Sequence, residues 1–368
     1  MKSNLARRDF IKTTGLVAAT AAFASPLATL AQAAGGKVTL AIVGGAHIHT
    51  PDFGRRLKGR EDVVVKYVWD HDAARAEKRA KEAGSKTTAN VQEIWDDKEV
   101  TGVVICSETN RHLELVAAAA KAGKHMFVEK PLGVTAKDSA AMAATIEQAG
   151  RLFTTGYFMR TFPAHLLLKE LVAKNAFGKI TRVRGSNCHS GSLGGWFDTD
   201  WRWMADPKQS GCGGFGDLGT HSLDILMWLM GDVESITADI KVITARYGDT
   251  DECGEALIKF RNGVTGTLAA GWVDVADPVT LLISGTEGHA HMLNGDLYLK
   301  CKNIQGADGK QPWKQLPQPP PLPIYQFVEA VSGKRDMPLV TSREAAARVA
   351  VMEAAYQSAK TGTWQKPV

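Results

Sequence analysis

The sequence predicts an α/β protein in which an N-terminal doubly wound parallel sheet precedes a C-terminal α+β domain with a mostly antiparallel, open sheet. Over residues 36–155, short apolar runs alternate with helical segments across short links, which indicates parallel βαβ units. Over residues 156–368, strand-like runs follow one another with few helices between them, which favours antiparallel pairing. A chain of 368 residues is long enough for two such domains.

The first part reads as alternating strands and helices. The largely apolar run 37–43 is expected to be a strand buried on both faces, and Thr50 is expected to cap a helix at 51–57. Further strands are predicted at 63–69, 100–106, 125–128 and 152–156, with helices at 73–83, 111–122 and 136–149. Asn110 and Thr135 are the expected N-caps of the last two helices, and Gly123 fits the position after the first of them.

The second part opens with a helix predicted at 163–173, a strand at 180–186 and a loop at 191–214 that is rich in Gly, Trp and Asp. A long helix is predicted at 215–230. Later strands are predicted at 235–244, 255–260, 264–272, 280–285 and 289–294, and Arg-Asn-Gly at 261–263 indicates a hairpin. A proline-rich segment at 317–323 leads to helices predicted at 325–333 and 342–361.

Charge and cysteine content exclude several classes of protein. The net charge is +5, and residues 1–33 carry three of these charges, which is too little in the remainder to indicate nucleic-acid binding. The five cysteines are odd in number and form no CxxC pair, so they indicate neither a zinc site nor a disulfide framework. Most are expected to be small buried side chains, although a single bridge stays open in an oxidising compartment.

The N-terminus predicts a signal peptide over residues 1–33. Arg7-Arg8-Asp9-Phe10 precedes a small, weakly apolar run, and Ala31-Gln32-Ala33 offers a cleavage site. The arginine pair resembles a twin-arginine leader, which implies export of a folded protein to the periplasm or beyond, together with any bound cofactor. We expect no membrane attachment after cleavage. The alternative is a cytoplasmic chain with an alanine-rich head.

The turn after the first strand is the expected nucleotide site, because parallel sheets bind ligands at the carboxyl ends of their strands. Gly44, Gly45, Ala46 and His47 are the predicted cofactor contacts, although Ala46 and His49 replace two glycines of the usual GxGxxG pattern. Asp70 ends the second strand, where an acid binds ribose hydroxyls and favours NAD over NADP. His47, His49 and His189 form too weak a pattern for a metal site, and no metal is predicted.

Hydride transfer from an alcohol needs a base and a positive group beside the nicotinamide, and three residues suit these roles. Lys130, with a pKa expected to be lowered, would stabilise the alkoxide, and His221 would accept the proton. Asp217 lies four residues before His221, on the same helix face, where it could orient the imidazole or bind a sugar hydroxyl.

Three segments, 103–112, 122–131 and 216–224, resemble hallmark motifs of the Gfo/Idh/MocA oxidoreductases, the family of glucose–fructose oxidoreductase and inositol dehydrogenase. The resemblance runs from about Lys37 to the C-terminus and implies a Rossmann-like NAD domain. It also implies that Lys130, Asp217 and His221 surround the reacting carbon, and that Glu129 and Asn110 contact the cofactor.

The substrate is expected to be a sugar, polyol or glycoside. Trp196, Asp200 and Arg202 could bind its faces and hydroxyls, or the tryptophans of this loop could instead plug the domain interface. Tyr157 and Arg160 are further candidate contacts.

The leading hypothesis is an exported NAD-dependent oxidoreductase that retains its cofactor and recycles it with a second substrate. One alternative is a glycoside hydrolase that uses bound NAD without net redox change, and another is a cofactor-less sugar-binding protein. We also expect a homo-dimer or tetramer, since an open sheet leaves a face to bury.

Overall fold

A computed structural model describes residues 37–368, so the predicted signal peptide lies outside the described residues. The strands of the first part are β1 (Val38–Val43), β2 (Val63–Trp69), β3 (Lys86–Thr87), β4 (Gly102–Ile105), β5 (His125–Val128) and β6 (Phe153–Thr155). Its helices are α1 (Thr50–Lys58), α2 (Ala73–Ala83), α3 (Gln92–Asp96), α4 (His112–Lys121) and α5 (Ala136–Ala149).

The six strands form one parallel sheet in the order β3-β2-β1-β4-β5-β6, which confirms the predicted doubly wound, Rossmann-like domain. The strand order reverses between β1 and β4, where Val43 pairs with Trp69 on one side and Ile105 on the other. The turns after β1, β2, β4 and β5 therefore meet at one edge of the sheet, which is where such folds bind ligands.

The second part begins with α6 (Pro163–Ala173), β7 (Ile180–Cys188), α7 (Pro207–Ser210) and α8 (Gly214–Met230). It continues with β8 (Val233–Lys241), β9 (Cys253–Phe260), β10 (Thr265–Gly271), β11 (Leu281–Gly285), β12 (Gly288–Leu293), β13 (Asp296–Cys301), β14 (Asp308–Pro312), α9 (Pro323–Val331) and α10 (Ser342–Thr361).

These eight strands form a second sheet in the order β14-β13-β12-β11-β7-β10-β9-β8, in which only β7 and β10 pair in parallel. The predicted mostly antiparallel sheet is confirmed. The hairpin at 261–263 joins β9 to β10, with Gly263 at φ +86°. One face of the sheet packs on α8, whose Phe215, Leu223 and Leu226 are fully buried.

Two predicted helix caps are wrong. Helix α1 begins at Thr50 itself, and His49 precedes it without a side-chain capping bond. Asn110 lies in a short 3-10 turn at Thr109–Arg111, and α4 begins only at His112. In each case the chain enters the helix through a preceding turn, so the capping position moves away from the polar residue that the pattern favoured.

The C-terminal helices return to the first sheet. Phe327 and Val328 of α9 are buried against Leu40 and Phe127, and Val349 of α10 joins the core on the other face of that sheet. The second part of the chain therefore packs on both faces of the first sheet, through α9 on one face and α10 on the other.

All five cysteines are free thiols, and Cys106, Cys212 and Cys301 are buried, as expected for small core side chains. Within residues 37–368, no helix combines the length and the apolar character that crossing a membrane requires.

Candidate active site

The turn after β1 is closely packed. Gly44 has φ +82°, and a Cβ there would lie 2.5 Å from the Cβ of Ser107 after β4, so only glycine fits. The Gly45 amide donates to the Asp70 carboxylate at 2.6 Å, and the His47 amide donates to the Cys106 carbonyl at 2.9 Å. The turn is thus fixed to its two neighbouring strands, with α1 following it.

Asp70 lies at the end of β2 as predicted, and its carboxylate is fully used within the chain. It accepts from the amides of Gly45 and Asp72 and from both Nε and Nη2 of Arg75, each of the latter at 2.8 Å. Burial by itself would raise the pKa of Asp70, but these hydrogen bonds outweigh it and leave the pKa lowered. Arg75, which also contacts Glu108, is a neighbour that the sequence did not single out.

Lys130 and Asp217 form a buried ion pair between the two domains. Lys130 follows β5, Asp217 lies in the first turn of α8, and Nζ is 2.7 Å from Oδ1. Trp272 donates its Nε1–H to the other carboxylate oxygen at 3.1 Å. Burial would lower the pKa of Lys130, but the carboxylates of Asp217 and Glu129 raise it, so the expected lowered pKa is wrong and the side chain is a fixed ammonium.

His221 lies one turn after Asp217 on α8 and is almost fully buried. Burial, and then the charge of Lys130, hold its pKa well below the usual value, so the imidazole is neutral. Its Nδ1 has no hydrogen-bond partner among the described residues, and Asp217 is turned to Lys130 rather than to the imidazole. Phe158 and Tyr157 contact the ring, with ring centroids 5.0 and 6.1 Å away. His221 is therefore a neutral imidazole in a largely apolar pocket.

Glu129, the predicted cofactor contact before Lys130, is completely buried. It accepts from the Lys130 amide at 2.8 Å and lies 3.0 Å from Nδ1 of His49. Nε2 of His47 is 3.9 Å from the same carboxylate. Burial is the main cause that lowers the pKa of His47 to about 3, which keeps this imidazole neutral. His189, weighed with these histidines in the sequence, instead lies beside Trp196, with ring centroids 4.8 Å apart.

The loop between β7 and α8 folds over the turn after β1. Trp203 is buried and donates its Nε1–H to the Ala46 carbonyl at 3.0 Å. Asp200 pairs with Lys78 on α2 and lies 3.9 Å from Arg79, which in turn donates to the Gly45 carbonyl. The loop therefore covers the predicted cofactor turn with side chains from the second domain.

The other predicted substrate contacts are placed apart from one another. Trp196 is 47% exposed, and Arg202 lies over the ring of Tyr247. Tyr157 is buried beside His221, and its hydroxyl is hydrogen-bonded to that of Thr220. Arg160 donates two hydrogen bonds to Asp224 and forms a second ion pair with Glu344. Asn110 is exposed on the turn after β4. The contacts described for Arg160 are those of a structural ion network, and its role toward substrate stays a prediction.

The arrangement fits a dinucleotide at the level of the backbone. A glycine-only turn, an acid at the end of β2 and the strand reversal between β1 and β4 occur together, as such a ligand requires. His47, Lys130, Trp203 and Asp217 line one small cavity between the sheets. A larger cavity of about 520 Å³ lies beside Lys241 and Tyr356. The cavity that Lys130 and Asp217 line is therefore the smaller of the two.

Comparisons with known proteins agree with this geometry. Residues 38–157 match the sequence model of an oxidoreductase family with an NAD-binding Rossmann fold, and residues 165–291 match the model of the GFO/IDH/MocA C-terminal domain. Together the two matches cover well over half of the chain.

Curated relatives include levoglucosan dehydrogenase of Pseudarthrobacter phenanthrenivorans, 28% identical over 55% of this chain and 57% of that protein. The scyllo-inositol 2-dehydrogenase (NAD(+)) of Bacillus subtilis is 26% identical over 80% of this chain and 86% of its own length. The chain thus spans little more than half of the first of these relatives.

Solved structures show the same fold. A levoglucosan dehydrogenase in complex with NADH and levoglucosan gives a TM-score of 0.75 at 22% identity, covering 90% of this chain and 99% of the other. An aldose–aldose oxidoreductase from Caulobacter crescentus gives 0.74 at 20% identity, with coverage of 90% and 99%. With the Rossmann sheet, the paired Lys130 and Asp217 and both family matches, the chain belongs to the Gfo/Idh/MocA family of NAD-binding oxidoreductases.

Proposed function

We propose that the protein oxidises a hydroxyl group of a sugar, polyol or glycoside by hydride transfer to NAD. The observation that carries this proposal is the buried Lys130–Asp217 pair with the neutral His221 one turn further along α8. A fixed positive charge and a free imidazole nitrogen are the two groups that alcohol oxidation requires of the protein.

NAD, when bound, supplies the hydride acceptor. Gly44, Gly45 and Asp70 are the residues that would hold it, with Asp70 exchanging its hydrogen bonds from Arg75 for bonds from the ribose hydroxyls. The Lys130 ammonium, held in place by Asp217, stabilises the negative charge that develops on the substrate oxygen. The neutral His221 accepts the hydroxyl proton on a ring nitrogen. Phe158 packs against His221 and Trp272 lies against Asp217, and these two rings help to exclude water from the imidazole and from the ion pair, which strengthens both electrostatic contacts.

The substrate class rests on the relatives, which are named for levoglucosan and inositol. Trp196, Asp200 and Arg202 are proposed to contact the ligand at the mouth of the site, and opening of the Asp200–Lys78 pair would free the carboxylate. Tyr157 would then act from behind His221 by fixing the imidazole ring.

Export through the twin-arginine route to the periplasm is part of the proposal and rests on the Arg7-Arg8 motif. A cofactor carried outside the cytoplasm must stay bound and be recycled by a second substrate. The relatives found favour neither an NAD-assisted glycoside hydrolase nor a cofactor-less binding protein.

The proposal is tested by incubating the mature protein with NAD and a panel of sugars, polyols and glycosides. Reduction of the cofactor, or formation of an oxo-sugar when a second carbonyl substrate is supplied, is the expected result. Ligand binding without any oxidised product across the panel would contradict it. Release of free sugar without an oxidised product would instead support the hydrolase.

A homo-dimer or tetramer is also proposed, since the eight-stranded sheet presents an outer face that the described residues leave partly exposed, including Leu257. Light scattering of the purified mature protein is expected to give at least twice the mass of one chain, which is 39.6 kDa before the leader is removed. A monomeric mass at micromolar concentration would contradict this part of the proposal.

A further inference from the structure

Three side chains with metal-binding atoms converge beside the Lys130–Asp217 pair. His47 and His49 lie two residues apart in the turn after β1, and Glu129 ends β5 on the same edge of the sheet. One ligand atom from each lies within 4.8 Å of the other two. Among residues 37–368 this is the one such group of histidine, cysteine and carboxylate side chains.

We propose that His47, His49 and Glu129 form a binding site for a divalent first-row transition-metal ion. Two imidazoles and one carboxylate are a ligand set that zinc and ferrous iron both accept, with positions left open for a further ligand. The site goes beyond the proposed hydride transfer, in which neither histidine accepts or donates a proton, although His47 and Glu129 are also predicted contacts of the cofactor.

The spacing suits a small ion. Metal–ligand bonds of about 2.0–2.2 Å place tetrahedral ligand atoms about 3.4 Å apart. The Glu129 oxygens lie 3.0 Å from Nδ1 of His49 and 3.9 Å from Nε2 of His47. The second distance is too long for a hydrogen bond, and the three ligand atoms are grouped only within 4.8 Å of one another, so the imidazole rings would move inward by about 1 Å to hold an ion.

The local charge favours a cation. The fully buried Glu129 and the largely buried Asp217 bring two carboxylates, whereas Lys130 brings one ammonium, so one negative charge lacks a fixed partner. A buried carboxylate without a full counter-charge is costly even when it accepts a hydrogen bond, as Glu129 does from the Lys130 amide, and an ion between the histidines would offset this cost. If Nε2 of His47 binds the ion, the imidazole proton lies on Nδ1. The long hydrogen bond of 3.3 Å that Nδ1 accepts from the His49 amide is then lost.

The open positions of the ion would face the ligand. His47 lines the same small cavity as Lys130 and Asp217, so an oxygen bound to the metal would lie near the proposed reaction site. The ion would then hold a hydroxyl or carbonyl oxygen of the sugar class of ligand.

The test uses the purified full-length protein, stripped with a chelator and titrated with Co²⁺. We expect about one equivalent to bind with visible absorption bands of a low-coordinate site, and Zn²⁺ to displace it. His49→Ala removes a half-buried ligand and is expected to weaken binding at least about tenfold, since even outer-shell partners contribute that much. Glu129→Gln is expected to do the same.

His289→Ala is the matched control, because His289 and His291 form another pair two residues apart with ring centroids 5.4 Å from each other. This control should bind Co²⁺ as the wild type does. Absence of Co²⁺ binding by the wild type, or unchanged affinity in a folded His49→Ala variant, would overturn the proposal. Nucleotide content of the wild type, measured separately, tests the dehydrogenase proposal. Because Glu129 is also a predicted cofactor contact, His49→Ala is the variant that separates the two proposals.

Discussion

At the scale of single residues, the convergence of Lys130, Asp217 and His221 was predictable. Lys130 follows a recognisable strand, and Asp217 and His221 share one face of a recognisable helix. Their partnership was not predictable. The sequence left Asp217 either to orient His221 or to bind a sugar hydroxyl, whereas Asp217 contacts Lys130 and Trp272, which lies 55 residues further along the chain. Such a contact depends on how the second sheet meets α8, and no local pattern encodes it.

Lys130→Met is expected to lower kcat by about 10²–10³-fold, because the developing alkoxide loses its positive partner. Asp217 is then buried without a counter-charge, so the free energy of unfolding should fall by about 3–5 kcal/mol. The double variant with Asp217→Asn should recover part of this stability but not the activity. Steady-state kinetics and urea unfolding measure the two effects, with the exposed Lys137→Met as control. Equal loss of activity in the control would contradict the assignment.

His125, at the start of β5, predicts a dependence of stability on pH. Burial, and then the charge of Arg151, lower its pKa to about 4, so the unfolded chain, with a pKa of about 6.5, binds the proton more readily. The stabilising effect of the neutral form is therefore present above pH about 6.5 and is lost as the pH falls toward about 4.

His125→Asn keeps an acceptor for the Leu152 amide but removes the titration. Between about pH 7 and pH 4.5 the wild type should lose about 2 kcal/mol more than this variant, measured by urea unfolding. An identical pH dependence of both proteins would show that His125 does not titrate as described.

At the scale of elements, the long strands and helices were predictable from hydrophobic periodicity and glycine positions. The two-residue strand β3 and the five-residue helix α3 were missed because they are too short to show a period. Strand β13 was also missed, although its buried residues Leu297, Leu299 and Cys301 alternate along it. Strand β14 was missed because its sequence, Asp-Gly-Lys-Gln-Pro, is polar, and it forms a strand only by pairing with β13.

The loop over the cofactor turn gives a prediction at this scale. Trp203→Phe keeps the buried ring but leaves the Ala46 carbonyl without its donor, so we expect about 1 kcal/mol less stability and faster loss of bound nucleotide. Trp201→Phe is the matched control, because its Nε1 has no partner among the described residues. Thermal unfolding and nucleotide release after dilution measure both variants. Equal effects of the two substitutions would argue against the Trp203 contact.

At the scale of the whole molecule, the order of two domains was predictable from the change in element pattern near residue 155. The return of α9 and α10 to the first sheet was not, since apolar residues such as Phe327 could equally have covered the second sheet. The site therefore lies between parts that are joined twice, by the chain after β6 and by the C-terminal helices.

The most direct test of the whole account is the nucleotide content of the purified mature protein. The protein is denatured, and the supernatant is analysed by chromatography and mass spectrometry. The account predicts NAD in about one equivalent per chain, with NADP in the minority because Asp70 ends β2. Absence of nucleotide, together with no binding of added NAD, would contradict it and show that the turn formed by Gly44, Gly45 and Ala46 does not hold a dinucleotide.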